Sequence, residues 1–123
     1  MKKVILVDDQ VELLFDSLQR LLADSGYELV KTETALYPET ALEIIKNHPE
    51  ADYILLDGNF MDRTTCLDMI HRLNREEQQK VICFSDDPQS FIFLLRPYGV
   101  RHFPGKLRNL IPCFEGTCMC DSL

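Results

Sequence analysis

The sequence predicts an α/β fold built on an open parallel sheet, and three observations predict it. Short apolar runs rich in β-branched residues recur at 4–7, 53–56 and 81–84, each the length of a strand buried on both faces. Between them lie stretches whose apolar residues step by three and four, the period of an amphipathic helix. The runs also stop abruptly at polar residues, Asp8 after the first, Asp57 after the second and Ser85 after the third.

Taken in order, residues 4–7 form the first strand, ended by Asp8 and Asp9. Val11, Leu14, Phe15, Leu18, Leu21 and Leu22 then make the stripe of a helix that Gly26 stops. A weaker strand follows over 28–31. Pro38 opens a second helix with Ala41, Leu42 and Ile45 on one face, closed at Asn47-His48-Pro49. Residues 53–56 are the third strand. Leu67, Met69, Ile70 and Leu73 predict a third helix running to the charged stretch Arg75-Glu76-Glu77, and 81–84 is the fourth strand.

Asp87-Pro88 reads as an N-cap and a proline at the first helical position, starting a short helix that Pro97 and Gly99 end. Its run Phe91-Ile92-Phe93-Leu94-Leu95 is more apolar than one buried face requires and is read as partly core and partly a candidate docking surface. The last strand falls over 100–103. The segment 107–111 makes a turn or two of helix before Pro112. Residues 1–112 are thus read as one domain and 113–123 as a cysteine-containing tail.

The 123 residues suffice for one core without disulfides or a structural metal. No apolar span approaches the length needed to cross a bilayer, and Asp8-Asp9 cut short the run after Met1-Lys2-Lys3 that would otherwise resemble a leader, so a cytoplasmic location is expected. An odd count of five cysteines fits reduced thiols. Cys113, Cys118 and Cys120 match no standard zinc spacing, and His48, His71 and His102 lie in unrelated elements. A formal charge of -7, with the basic residues dispersed, disfavours direct binding to nucleic acid.

In sheets of this kind, sites form at the carboxyl ends of the strands. Asp8, Asp9, Asp57, Ser85 and Lys106 all fall there. Alone, each is readily a turn former, a cap or a solvated charge. Together, three neighbouring carboxylates need a cation to stay ionised, and magnesium suits them, since it binds through one or two carboxylates plus phosphate oxygens. An ionised aspartate is a nucleophile toward phosphorus, and a metal, a lysine and a hydroxyl neutralise the charge that develops on the phosphoryl oxygens.

Val7-Asp8-Asp9, Leu55-Leu56-Asp57, Phe84-Ser85, Phe103 and Lys106, in that order and each after its own strand, resemble the receiver (chemotaxis-regulator-like) domains of two-component response regulators. The resemblance covers about residues 3–110. It implies a flavodoxin-like, doubly wound, five-stranded parallel sheet of order 2-1-3-4-5 with a short, atypical last helix. It further implies that Asp57 is the phosphoacceptor, supplied by a sensor histidine kinase or a phosphotransfer protein. Asp9, Asp57 and the backbone carbonyl of Asn59 would ligate Mg2+, with Asp8 acting through water. Lys106 and Ser85 would contact the phosphoryl group, and Phe103 would be the aromatic switch.

Three positions depart from the family pattern. Leu107 stands where proline usually follows the lysine, Asp86 where a small residue usually follows Ser85, and Met61 and Thr65 where proline and glycine follow the phosphoacceptor. The expected function is a phosphorylation switch without an output domain, not an enzyme in the ordinary sense, signalling through contact with a downstream protein target. The departures motivate a second reading, a pseudo-receiver that signals without phosphorylation. A third, a magnesium-dependent aspartyl phosphatase, is disfavoured because Asn59 occupies the position of its usual second aspartate. The short last helix predicts an undercovered sheet face, and hence a homodimer or a docked partner.

Overall fold

The computed structural model describes residues 1–57, 60, 62–84, 95–102 and 110–115, with only the backbone considered at Asp57, Phe84, His102 and Cys113. Within these, strand β1 spans Lys2–Val7, helix α1 Val11–Asp24, β2 Tyr27–Val30, α2 Pro38–Asn47 and β3 Tyr53–Asp57. Two short helices follow, α3 over Cys66–Arg72 and α4 over Arg75–Lys80, then β4 over Val81–Phe84. A 3-10 turn at Arg96–Tyr98 leads to β5, Arg101–His102, and the last described helix, α5, is Leu110–Phe114.

All strand pairs are parallel. The four full strands lie in the order β2-β1-β3-β4, and the two-residue β5 adds to the outer side of β4. The expected fifth strand over 100–103 is met by Arg101 and His102 alone, since residue 103 lies outside the described residues.

Side chains alternate across the sheet because successive strand residues point to opposite faces. Ile5, Val7, Ile54, Leu56, Val81 and Cys83 join a core under α2 and α3, with Ile44, Ile45, Met69 and Ile70. Val4, Leu6, Leu55 and Ile82 join a second core under α1 and α5, with Leu18, Leu22, Leu110 and Phe114. Two apolar faces covered by separate helices explain why the strands read as unbroken apolar runs. The expected undercovered face is not found among the described residues. Val4, Leu6, Leu55 and Ile82 are all fully buried, because Leu110 and Phe114 complete the cover that α1 begins. The ground for expecting a homodimer on that face falls away.

Helix ends follow local chemistry. Gly26 adopts φ +86°, the left-handed conformation that closes α1, and its N–H donates to the Ala23 carbonyl. Tyr37 is extended before Pro38, which sits in the first turn of α2, where a missing N–H costs nothing. The third helix departs from expectation. It ends at Arg72, Leu73 turns extended, and the charged stretch begins a separate helix.

Asn74 and Glu77 cap α4 reciprocally: the Glu77 N–H donates to Asn74 Oδ1 at 2.8 Å and the Asn74 N–H to Glu77 Oε1 at 3.0 Å. From α4, Gln78 Nε2 donates to the Leu73 carbonyl and to the Ile70 carbonyl, which also accepts from the Leu73 N–H, and so ties α4 to the end of α3.

Pro112 does not stop the last helix as expected. The described helix includes Pro112 and runs on to Phe114. Phe114 packs on Tyr27 and stacks on Tyr53, with ring centroids 5.0 and 4.5 Å away. Its carbonyl, left open by the helix end, accepts from the Tyr53 hydroxyl at 2.9 Å and from Arg101 at 3.3 Å. Gly99, at φ +74°, closes the 3-10 turn as expected. The helix expected from Asp87 lies outside the described residues except for Leu95, which is buried.

Candidate functional site at the carboxyl rim

Register brings the acidic residues together. Val7 pairs with Leu56, so the residues that follow them, Asp8 and Asp57, leave adjacent parallel strands at the same level. Asp57 is the last residue of β3 and pairs with Phe84, the last described residue of β4, at the same rim. Cys83 pairs with His102, which brings the end of β5 there as well.

Asp8 is 5 % exposed, the sole buried charged residue among those described, and sits on the apolar end of β1. Its Oδ1 accepts from the Gln10 N–H at 2.8 Å, which turns the chain into α1 and aims the carboxylate. The Asp8 carbonyl accepts from the Ala35 N–H at 3.0 Å, and the Thr32 hydroxyl donates to the Leu6 carbonyl at 2.7 Å. These two bonds hang the loop between β2 and α2 on the end of β1. Sequence reasoning missed both anchors, since Thr32 and Ala35 belong to no periodic pattern. Asp9 is exposed.

The loop that follows Asp57 closes tightly at its far end. The Phe60 N–H donates to the Thr64 carbonyl and the Arg63 N–H to the Phe60 carbonyl, both at 3.0 Å. Arg63 takes φ +70°, a conformation that favours glycine. Asp62 accepts from the hydroxyl and the N–H of Thr64, and these bonds hold its carboxyl below the usual range. Asp68 then accepts from the Thr65 N–H at 2.8 Å and fixes the start of α3. Thr65, one of the departures from the family pattern, is thus a helix cap.

Of the predicted site, Asp8 and Asp9 are described in full and Asp57 by its backbone. Asn59, Ser85, Phe103 and Lys106 lie outside the described residues, as do Asp86 and Leu107. Among the described residues no group of three His, Cys, Asp or Glu side chains forms a metal site. The donor set predicted for magnesium consists of carboxylate and carbonyl oxygens, the hard ligands this ion takes. The buried carboxylate of Asp8, one strand away from Asp57, fits that requirement.

The fold is that of response regulator receiver domains, matched across the whole chain. A receiver domain protein from Clostridium thermocellum matches at TM-score 0.71 and 18% identity, over 95% of this chain and 94% of that one. TrrA from Thermotoga maritima, solved in complex with Mg2+ and BeF, matches at 0.70 and 19%, over 95% and 99% of the two chains. A CheY-like receiver domain protein from Methanospirillum hungatei matches at 0.67 and 20%, over 94% and 92%. At these identities the likeness is one of fold. No protein-family model matches the sequence, and no curated protein does. Among the described residues no helix is long and apolar enough to cross a membrane.

Proposed function

We infer that this chain is the receiver of a two-component phosphorelay and takes a phosphoryl group on Asp57. The observation that carries the reading is the buried carboxylate of Asp8 beside the Asp57 backbone, at the carboxyl rim of a receiver-type sheet. Magnesium, when bound, would supply positive charge to the transferring phosphoryl group. Asp9, Asp57 and the Asn59 carbonyl would hold the ion directly and Asp8 through water. The Asp57 carboxylate attacks phosphorus, Lys106 pairs with the phosphoryl oxygens, and Ser85 donates a hydrogen bond to them. Phe103 follows Ser85 inward as the aromatic switch, without a hydroxyl to report the rotation.

The phosphoryl donor is a phosphohistidine on a sensor kinase or phosphotransfer protein, and the output is a contact with a protein target. Leu95 is buried in the core, and the proposed contact surface is drawn from the remaining apolar residues of the run, Phe91, Ile92, Phe93 and Leu94. The deciding experiment is incubation with Mg2+ and a small phosphodonor followed by intact mass. The expected result is one phosphoryl group on the native chain and none on Asp57→Asn.

A second reading rests on Asp86 and Leu107, which put a carboxylate and a non-proline beside the two phosphoryl-binding residues. Under it the chain is a pseudo-receiver that binds partners without phosphorylation. Failure of the native chain to gain a phosphoryl group would decide for it.

A further inference from the structure

Cys66 and Cys83 are both thiols and both fully buried, and their sulfurs lie 3.1 Å apart, closer than two sulfurs in ordinary van der Waals contact. Each is held in place from its own side. Cys66 is the first residue of α3, whose start the Asp68 carboxylate pins through Thr65. Cys83 lies in β4 with neighbours on both sides, Leu56 of β3 and His102 of β5. Neither needs a change of fold to reach the other, and a covalent S–S bond requires the sulfurs to close by about 1 Å.

We propose that Cys66 and Cys83 form an intramolecular disulfide when the chain meets a hydroperoxide, making this pair a redox modification site set directly under the carboxyl rim. One sulfur attacks the peroxide oxygen, giving a sulfenic acid and releasing water from hydrogen peroxide. The second sulfur attacks the sulfenic sulfur and expels a second water. Two S–H bonds are lost and one S–S bond forms, and the two electrons and two protons removed leave with the peroxide, reduced to two waters.

Location gives the bond its consequence. Cys83 is paired with Leu56, the residue before Asp57, and Cys66 ends the loop that Asp57 begins. The bond would staple together the two segments that frame the end of β3. Burial sets the kinetics, because buried thiols resist bulky reagents and react only as fast as local opening admits a small oxidant.

The test uses the full chain treated with hydrogen peroxide, then alkylated under denaturing conditions and digested without reductant. The expected result is a loss of two hydrogens in the intact mass and one peptide linking Cys66 to Cys83, with an apparent Tm higher by on the order of 10 °C. A chain in which Cys113, Cys118 and Cys120 are replaced by serine should give the same linked peptide. Linkage confined to those three cysteines, or recovery of Cys66 and Cys83 each singly alkylated, would overturn the proposal. The mapping is read on the unsubstituted chain and does not depend on any variant folding.

Discussion

The two rims of the sheet are built on opposite principles. At the amino rim, Tyr27, Tyr53 and Phe114 form one aromatic cluster, with the Lys2 ammonium 5.7 Å and the Arg101 guanidinium 5.6 Å from the Tyr53 ring centroid. The open carbonyl of Phe114 is met by two donors there. At the carboxyl rim a carboxylate is buried instead, and local bonds to Gln10 and Ala35 hold its segment in position. The amino rim secures the fold with apolar area and satisfied polar groups, whereas the carboxyl rim carries a buried charge held by local hydrogen bonds. Perturbing the first should move melting temperature and leave ligand affinity alone, and perturbing the second should do the reverse.

The largest effect is expected from Phe114→Ala. Removing a buried ring that touches two others should cost about 3 kcal/mol in urea unfolding, while Mg2+ affinity stays unchanged. A loss of magnesium binding with it would show that the rims are coupled. Next, Asp8→Asn keeps an oxygen for the Gln10 N–H but removes the charge. It should weaken Mg2+ roughly tenfold by calorimetric titration, with little change in Tm, and an unaltered affinity would remove Asp8 from the ion site.

Tyr53→Phe retains the stacking and deletes one donor to the Phe114 carbonyl, so it should cost about 1 kcal/mol. A neutral result would mean that Arg101 alone satisfies that carbonyl. The smallest effect concerns a contact at neither rim, Lys46 to Glu77 at 2.7 Å between α2 and α4. Burial pushes the Glu77 carboxyl up, but the Lys46 ammonium and the Asn74 N–H outweigh it and hold the pKa below the ordinary value. The stabilisation is therefore complete above the unfolded carboxylate pKa and fades as pH falls through the lowered folded one. Glu77→Gln should remove about 0.5 kcal/mol at neutral pH and flatten the acid limb of the stability curve. An acid limb identical to that of the native chain would refute the assignment.

What could be read from the sequence divides along the same line. The stripe of α1, the proline that opens α2 and the polar stops of β1, β3 and β4 are local signals, and the structure places these elements where those signals put them. Parallel register then carries Asp8 and Asp57 to one rim without further information. The missed features depend on chemistry between distant segments or on a cap that periodicity ignores. The pair Asn74 and Glu77 has the spacing of a capping box, yet the polar stretch it opens has no apolar stripe to announce a helix. Phe114 lay in what looked like a tail because its partners, Tyr27 and Tyr53, are far away in sequence. Cys66 and Cys83 meet only because one begins a helix and the other lies in the strand beneath it.

The shortness of β2 has a consequence for handling the protein. The edge of an open sheet offers unpaired backbone groups, a template on which another chain can add a strand. On one side that edge is β2, four residues long. It falls short of the six or seven residues that stacked intermolecular sheets require. Exposed Glu28 and Lys31 add charge along it. Strand addition at this edge should therefore be weak at the concentrations that titration and spectroscopy demand.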